Sequence, residues 1–434
     1  MSNILIWIDS SIRIKEKILM LNESLLTNFD KVLFISQDEK SAKNFRKEGI
    51  NIISIEENIF MQHNNKSIDY SSIFPTNINQ SILVEIIKLS SYKSKNLNDK
   101  FYSKYSDPYS QIYLYKSFFC DLIDSHAITH SLILNGFSIS SYSFLTASYK
   151  RNLNILFWEN GLYPNSLFIN KVGVNAFAES EAMSFIKEDK RIFLSLEELI
   201  NYEFTEYKLI QNALITLQVN FDSNIKLFSP FFSTIDFLDF IIKNLEDNYF
   251  DLFKFRVRNH PKIKISIDDY LKKFINLEIS NSKNFTEDLN WSKLVLTINS
   301  TTGLEAILNK KNLIAFGNSY YSKFLRYKLL NIDGIEIKVF VFNSNLESDL
   351  KRREKLFINL NQSSLFLNEN KKNWKEKIIN TQNKSLNPYF VNKDFNKLLY
   401  EKKVTNTHIP KNKSHNLFYR YLQKLFNKIQ VMIS

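Results

Sequence analysis

The sequence predicts an α/β protein built from two Rossmann-like βα-repeat domains that face a cleft. Three observations predict this fold class. Short apolar segments alternate with helical segments, the alternation occurs twice along the chain, and glycine is rare but concentrated. Alternation of this kind indicates parallel strands joined by crossover helices. Four of the seven glycines lie within residues 159–173 and 299–317, where the backbone needs unusual freedom.

The first series of repeats fills the amino-terminal part of the chain. It is predicted in the order strand 4–8, helix 12–26, strand 31–35, helix 39–48, strand 50–55, helix 111–123, and strands 131–134 and 155–158. A mostly polar stretch, residues 64–106, interrupts it and holds one helical segment at 82–89.

The second series follows the same logic. It is predicted as strand 213–219, helix 234–245, strands 253–257 and 294–298, helix 303–309, strand 313–316 and an alternating run at 335–342. We therefore expect an acceptor-side domain at 1–205, a nucleotide-sugar-binding domain at 206–400 and a tail at 401–434. Ligands of such folds bind at the carboxyl ends of the strands, so a site is expected in the cleft between the domains.

Composition narrows the class of protein. With 434 residues, 44% hydrophobic and 24% charged, the chain is long enough for two or three globular domains. The single cysteine, Cys120, excludes an internal disulfide framework and a multi-cysteine zinc site. A net charge of +12 fits nucleic acid, anionic lipid or an acidic substrate, and no aromatic-basic recognition motif favours nucleic acid.

Location is predicted from the start of the chain and from the apolar runs. Residues 1–9 show no basic leader and no cleavage site, so no secretion signal is expected. No apolar run reaches the ~18 residues of a membrane span. A cytoplasmic location follows as the expectation.

Two carboxylates follow predicted strands. Glu159 ends the run at 155–158 and precedes Gly161, and a carboxyl group desolvated beside a cleft can act as a general acid or base. Asp222 follows Gln218 and is a candidate nucleophile or electrostatic stabiliser. Each also fits a simpler role, because Glu159 can cap a turn and Asp222-Ser-Asn readily forms an Asx turn.

A third motif places Arg258 two residues before His260 and Pro261, at the exit of a strand. Proline favours an extended histidine, which directs the ring toward the cleft. Imidazolium and guanidinium groups bind phosphate. The simpler alternative is a surface histidine in a turn.

The fourth motif, residues 294–306, predicts a strand, a hydroxyl-rich loop and a helix start. Ser300, Thr301, Thr302 and Gly303 form the loop, and free amides at a helix N-terminus bind anions. Helix capping by Ser300 or Thr301 is compatible with this role. The segment lacks the Gly-Lys-Ser/Thr of a nucleoside triphosphate loop, which disfavours ATP hydrolysis.

Taken in order, these motifs resemble the capsule polysaccharide biosynthesis family, the Kdo transferases that act early in making bacterial capsules. The family shows Glu-x-Gly with a following Gly-Val-Asn, then Gln-x-x-x-Asp, His-Pro and Ser/Thr-Thr-Gly-x-Glu-Ala. The counterparts here are Glu159 and Gly161 with 173–175, Gln218 with Asp222, His260-Pro261, and 300–306. The resemblance covers roughly residues 155–325.

The resemblance implies a GT-B-like, retaining glycosyltransferase with a CMP-Kdo donor and a lipid or glycan acceptor. It implies the catalytic residues Asp222 as nucleophile, Glu159 as its acid/base or acceptor-side partner, and His260. The donor-binding residues it implies are Arg258, His260, Ser300, Thr301, Thr302, Gly303 and Glu305. A donor with one phosphate needs no divalent metal if cations and a helix N-terminus hold it, and no acidic metal-ligand cluster is evident, so neither metal nor cofactor is expected.

Three alternatives stay open. Another CMP-sugar transferase, of the sialyl- or polysialyltransferase kind, shows a similar order of motifs. A teichoic-acid-type glycerophosphotransferase shares the two domains and the His-Pro pair, but Glu159 and residues 173–175 argue against it. A non-catalytic carbohydrate-binding component of capsule assembly would bind CMP without releasing it.

The tail carries a basic amphipathic helix. Its apolar stripe is formed by Leu417, Phe418, Tyr421, Leu422, Leu425, Phe426 and Ile429. Such a helix can lie on anionic lipid, and it can equally pack back on the protein. Because capsule initiation uses lipid acceptors, the resemblance favours peripheral contact with the inner face of the inner membrane.

Overall fold

The computed structural model describes residues 2–8, 15–55, 108–163, 165–178, 191–204, 212–220, 222–245, 254–262, 265–274, 276–366, 376 and 378. Two sheets organise these residues. The helical segment predicted at 82–89 and the amphipathic tail at 401–434 lie outside the described residues.

The first sheet has the strand order β15-β6-β5-β4-β1-β2-β3. Its elements are β1 (Asn3–Trp7), α1 (Lys15–Leu26), β2 (Lys31–Ser36), α2 (Glu39–Arg46), β3 (Ile52–Ser54), α3 (Pro108–Ser125), β4 (His130–Leu134), α4 (Ile139–Lys150), β5 (Asn154–Asn160) and β6 (Ser166–Asn170). Strands β1 to β5 are parallel, whereas β6 runs antiparallel to β5.

The second sheet has the order β10-β9-β8-β11-β12-β14-β13-β7. Its elements are β7 (Ile192–Phe193), α5 (Leu196–Glu203), β8 (Asn212–Thr216), α6 (Ser223–Phe228), α7 (Thr234–Lys243), β9 (Lys254–Arg258), α8 (Asp268–Lys273), β10 (Leu277–Ile279), α9 (Phe285–Trp291), β11 (Leu294–Thr297), α10 (Thr301–Leu308), β12 (Asn312–Ala315), β13 (Arg326–Ile332), β14 (Ile335–Phe342) and α11 (Glu347–Ser363). Strands β8 to β12 are parallel.

The predicted fold class is confirmed, because both sheets are dominated by parallel strands in the doubly wound order. In each sheet the direction in which successive strands are added changes once. The change falls between β1 and β4 in the first sheet and between β8 and β11 in the second. At such a reversal the loops leaving two neighbouring strands diverge and open a crevice.

The chain passes between the sheets at both ends of the second series. The short strand β7 pairs with β13 of the second sheet, and β15 (Ser364–Phe366) returns to pair with β6 of the first. Sheet membership therefore changes before residue 192 and again near residue 364. The domain limits at 205 and 400 stay a prediction.

Several elements were not predicted, and α4 shows why. Its sequence mixes serines with large apolar residues, and residues Ile139 to Ser148 are all buried. A helix that is buried on every side has no polar face, so the periodicity that marks an amphipathic helix is missing.

The two sheets share an apolar core. One buried cluster contains Leu5 and Phe157 of the first sheet together with Leu214 and Val295 of the second. Separate clusters cover the remaining faces of each sheet. This continuity keeps the loops at the carboxyl ends of both sheets close to each other.

Ring contacts join the two halves near those loops. Phe137, which follows β4, meets Phe228 at the end of α6 edge to face with ring centroids 5.6 Å apart. Phe168 of β6 meets Tyr320 in the same manner at 5.2 Å. Such pairs add about 0.5–1.5 kcal/mol beyond their buried area.

A buried ion-pair network joins α5, β13 and the start of α11. Arg326 of β13 makes bidentate hydrogen bonds to Glu203 at 3.0 and 2.7 Å and two bonds to Asp349 at 2.9 Å. Lys328 lies 3.2 Å from Glu203. The charges balance, so α5, β13 and the start of α11 are held as one unit.

Candidate functional site

The candidate site lies at the reversal of the second sheet, where the loops after β8 and β11 separate. Asp222 is in the first loop, and Ser300 to Gly303 follow the second. The floor of this crevice is a reciprocal amide pair. Gln218 donates to the Asn299 side chain at 3.0 Å, and its own oxygen accepts from the Asn299 backbone at 3.0 Å. Both residues are buried, so the pair locks the two loops together.

Asn299 also ties in a third loop. Its side-chain nitrogen donates to the carbonyls of Asn224 at 2.9 Å and Asn318 at 3.2 Å. Gly317 is essential to this arrangement, because a Cβ there would lie 2.7 Å from the Phe228 carbonyl and 3.0 Å from Asn299 Nδ2. Asn299 was not singled out from the sequence, although it stands directly before the hydroxyl loop.

Helix α10 begins at this loop, as the sequence predicts. Ser300 is its N-cap and accepts from the Thr302 backbone at 3.3 Å, while the Thr302 hydroxyl lies 2.9 Å from that of Thr216 on β8. The buried Tyr321 donates its hydroxyl to the Ser300 carbonyl at 2.9 Å. The Gly303 amide donates to the Ser300 carbonyl at 3.0 Å, so Ser300 holds two amides of the first turn, and the aligned peptides make this end of the helix electropositive.

Asp222 is the N-cap of α6 and occupies the predicted Asx turn. Its Oδ1 accepts from the Asn224 backbone at 2.9 Å. Burial raises the pKa of Asp222, while hydrogen bonds from Asn224 and Gln218 and the nearby His260 act in the opposite direction. The turn and the candidate role coexist, because the bonds that shape the turn also hold the carboxylate at the crevice.

His260 leaves β9 beside Asp222. The Lys262 backbone donates to His260 Nδ1 at 3.1 Å, so a neutral ring carries its proton on Nε2. Burial, and after it the charge of Lys262, lower the pKa of His260, while Asp222 opposes them. The lowered pKa favours the neutral ring, whose Nε2–H is available as a hydrogen-bond donor.

Glu159 approaches from the first sheet, at the end of β5. The Asn175 side chain donates to its Oε2 at 2.8 Å, and Asn135 makes a second side-chain hydrogen bond. Burial, and after it the charge of Asp222, raise the pKa of Glu159 to about 8. The structure thus brings Asp222 into electrostatic reach of both Glu159 and His260, which are 101 residues apart in sequence.

Arg258, expected as a phosphate ligand, is engaged by a carboxylate of the protein itself. Its Nη1 bonds the buried Asp288, which also binds Arg256 at 3.1 Å. Arg256 in turn stacks on Trp291, 3.9 Å from the ring centroid. Burial would raise the pKa of Asp288, but bonds from Ser280, Ser282 and Arg258 outweigh it and hold that pKa below its usual range.

Glu305 lies one turn into α10 and is partly buried. Burial raises its pKa, and the charge of Arg258 opposes the rise. Arg258 therefore stands between a buried carboxylate and Glu305, with Nη1 committed to the former. Its predicted donor contact would use its other nitrogens.

Asn135 and Asp288 are site residues that the motifs missed. Asn135 follows β4 with Gly136, and an Asn-Gly pair after a strand is the signal that could have marked it. Asp288 lies in α9 within an ordinary polar sequence, and only its burial reveals it. In the described part of the chain no three His, Cys, Asp or Glu side chains gather to hold a metal ion.

Comparison with known proteins supports the family resemblance. Residues 194–324 match the family model described as capsule polysaccharide biosynthesis protein. Protein FixF of Sinorhizobium fredii is 27% identical over 201 residues, which is 44% of this chain and 50% of that protein. The chain thus spans about half the length of this curated relative.

The solved structures that match this chain do so at low similarity. Thermosulfurimonas dismutans KpsC, a beta Kdo 2,7 transferase, is 15% identical, with 55% of this chain and 88% of that chain covered and a TM-score of 0.31. A glycosyltransferase from Rickettsia africae is 12% identical, with 87% of this chain and 99% of that chain covered and a TM-score of 0.34.

None of the helices in the described residues is both long and apolar enough to span a membrane.

The segment matched by the family model contains Asp222, His260 and the loop from Ser300 to Gly303, whereas Glu159 lies outside it. The predicted resemblance to the capsule polysaccharide biosynthesis family is thus confirmed, and residues 194–324 are the part of the chain that carries it.

Proposed function

We propose that this protein is a glycosyltransferase of capsular polysaccharide biosynthesis that transfers Kdo from CMP-Kdo to a lipid or glycan acceptor with retention. The observation that carries the proposal is the pairing of Glu159 and Asp222 across the two sheets. Burial raises the pKa of both carboxyl groups, and the charge of Asp222 adds to the rise at Glu159, whose pKa is about 8. Two interacting carboxyl groups ionise in two steps, and the proposal assigns the first ionisation to Asp222 and the retained proton to Glu159.

In the proposed first step the Asp222 carboxylate attacks the anomeric carbon of Kdo. The bond to the CMP phosphate breaks, the electron pair leaves with CMP, and the sugar is held as an ester on Asp222. Asp222 loses its negative charge in this step. One of the two causes that raise the pKa of Glu159 then disappears.

In the second step Glu159 acts as the base. With its pKa lowered it releases its proton to solvent and accepts the proton of the acceptor hydroxyl, whose oxygen displaces Asp222 from the sugar. Two displacements at one carbon give net retention. The switch of Glu159 is thus driven by the neutralisation of Asp222.

The phosphate of CMP is assigned to the α10 side of the crevice. The electropositive N-terminus of α10, the hydroxyls of Ser300 and Thr301 and the Nε2 proton of His260 are suited to a single phosphate. Glu305 and Arg258 lie farther along and are assigned to the ribose and the cytidine side. Donors of this kind stabilise the departing phosphate without an ion being required by the proposal.

The test is CMP release from CMP-Kdo with lipid-linked and glycan acceptors. We expect release by the wild type and loss of at least about 10³-fold in Asp222→Asn, since the nucleophile is removed. His260→Ala should lose about 10²-fold, the effect of deleting one transition-state donor. Asn152→Ala, an exposed substitution at the opposite end of β5, is the matched control.

The same assay with other donors separates the alternatives. Turnover of CMP-sialic acid in place of CMP-Kdo would replace the donor assignment, and CMP release from CDP-glycerol would indicate glycerophosphotransfer. CMP binding without release would indicate a non-catalytic component. Full activity of Asp222→Asn and His260→Ala would contradict the site assignment itself.

A further inference from the structure

Two asparagines hold the Glu159 carboxyl group, and they come from separate loops of the first sheet. Asn175 lies in the loop after β6 and donates its side-chain amide to Glu159 Oε2 at 2.8 Å. Asn135 lies in the loop after β4 and makes a side-chain hydrogen bond to the same carboxyl group. Since β4 and β6 are the two neighbours of β5, the donors approach Glu159 from both sides.

Both asparagines have left-handed backbones, with φ of 46° at Asn135 and 53° at Asn175. This conformation costs a side-chain-bearing residue about 1 kcal/mol, and asparagine tolerates it best after glycine. The left-handed turn directs each side chain back toward the end of β5. Two such turns flanking one carboxyl group point to a geometric requirement at Glu159.

An ordinary turn role explains only part of the contacts of Asn135. Its Oδ1 accepts from the Phe137 backbone at 2.7 Å, and its own backbone donates to the Trp158 carbonyl at 3.0 Å. These bonds shape the turn and use the side-chain oxygen. The side-chain nitrogen is left for Glu159, so the turn fixes where that donor points.

We propose that Asn135 and Asn175 are positioning residues that hold the Glu159 carboxyl group in the orientation in which it faces Asp222 and the acceptor. The proposal rests on the proposed glycosyltransferase function for its catalytic meaning. Both amides donate to the carboxyl group, and donation favours the ionised form that Glu159 needs when it acts as a base.

The surroundings of Glu159 support the assignment of the positioning role to Asn135 and Asn175. Within the described residues, the charged side chain that acts on it is Asp222, which raises its pKa as burial does. Asn135 and Asn175 are the groups that oppose this rise. Removing either should therefore make Glu159 harder to ionise.

A direct test measures the ionisation of Glu159 by carbon NMR on protein labelled at the glutamate carboxyl carbon, with Glu159→Gln to assign the signal. Asn175→Ala and Asn135→Ala should each lower the acid dissociation constant of Glu159 by about tenfold, as expected for loss of a hydrogen bond to a charged group. Asn175→Asp, which keeps the size of the side chain, should do the same by placing an acceptor against the carboxylate.

Asn152→Ala is the matched control. Asn152 has a φ of 53°, is exposed, and lies before β5 at the end opposite Glu159. Asn152 shares the left-handed backbone of Asn135 and Asn175 but lies at the other end of β5 from Glu159, so its substitution should leave the Glu159 signal unchanged. Equal titration of Glu159 in the wild type and in the Asn135 and Asn175 variants would overturn the proposal.

Kinetics add a second readout. We expect the Asn175 and Asn135 variants to lose about 10- to 100-fold in kcat for CMP release, with the KM for the donor within about twofold of wild type. A rise in donor KM alone would refute positioning at Glu159. If the wild type releases no CMP from CMP-Kdo, the proposed function fails, while the NMR titration still decides whether the asparagines control Glu159.

Discussion

Gly303 offers the sharpest test of how the α10 loop is built. It lies in the first turn of α10, where a Cβ would overlap the Tyr321 hydroxyl and lie 2.8 Å from Tyr321 Cζ and 3.1 Å from Thr297 Cγ2. Tyr321 is fixed in place by its bond to the Ser300 carbonyl. The Gly303→Ala substitution therefore forces apart two buried groups that also shape the proposed phosphate site.

Two effects of opposite sign decide the magnitude. Alanine is the better helix former and gains about 0.5–1 kcal/mol over glycine inside a helix. Overpacking of a tight core costs about 1–3 kcal/mol. With about 2 kcal/mol lost to the clash and about 1 kcal/mol gained from propensity, we expect a net loss of about 1 kcal/mol.

Urea denaturation of a double-mutant cycle measures this value. Tyr321→Phe alone should cost about 1 kcal/mol for its buried hydrogen bond. The Gly303→Ala/Tyr321→Phe double variant should then lose less than the sum, because the overlapping hydroxyl is gone, with a coupling of about 1 kcal/mol. A Gly303→Ala protein as stable as wild type, or additive effects within about 0.5 kcal/mol, would refute the packing argument.

Three further predictions concern charge and hydrogen bonding. Asp222→Asn should lower the pKa of Glu159 below about 8 while leaving it above the usual value of a glutamate, because burial is the larger cause of the rise. Carbon NMR would measure this pKa, and an unchanged value would show that the charge of Asp222 does not act on Glu159. Asp288→Asn should cost about 3–5 kcal/mol in unfolding experiments at neutral pH, since it removes the buried carboxylate that pairs with Arg258 and leaves Arg256 only its bond to Glu278. Because the pKa of Asp288 is held low when folded, its stabilisation is present above about pH 4 and lost as the pH falls through its folded value, so the variant and wild type should converge in acid. Gln218→Ala should cost about 1–3 kcal/mol by leaving buried amide groups unpaired, and normal urea stability would contradict its role in joining the loops.

Much of the fold could be predicted from local pattern. The alternating run predicted at 335–342 is β14, and the helix predicted from residue 234 begins there. The first half of β14 alternates apolar and polar residues and helix α7 has a buried apolar face, so their period is visible in the sequence. Helix α4 and the crossing strand β15 could not be predicted in this way, since a wholly buried helix has no period and a three-residue strand is too short to show one.

Part of the candidate site could likewise be predicted from local sequence, and part could not. The carboxyl ends of parallel strands meet at one edge of a sheet, so Asp222, His260 and the loop from Ser300 could be grouped from their positions after strands. The bonds that place them depend on residues far away in sequence. Asn175 reaches Glu159 across 16 residues and Tyr321 reaches Ser300 across 21.

By itself, the sequence determined the α/β class, the two series of repeats and the residue types available for chemistry, because these follow from hydrophobic period and from turn chemistry along the chain. The tertiary structure decided the raised pKa of Glu159, the lowered pKa of His260 and the engagement of Arg258 by Asp288. Each depends on burial and on charges brought together by folding, and neither quantity is a property of a local segment.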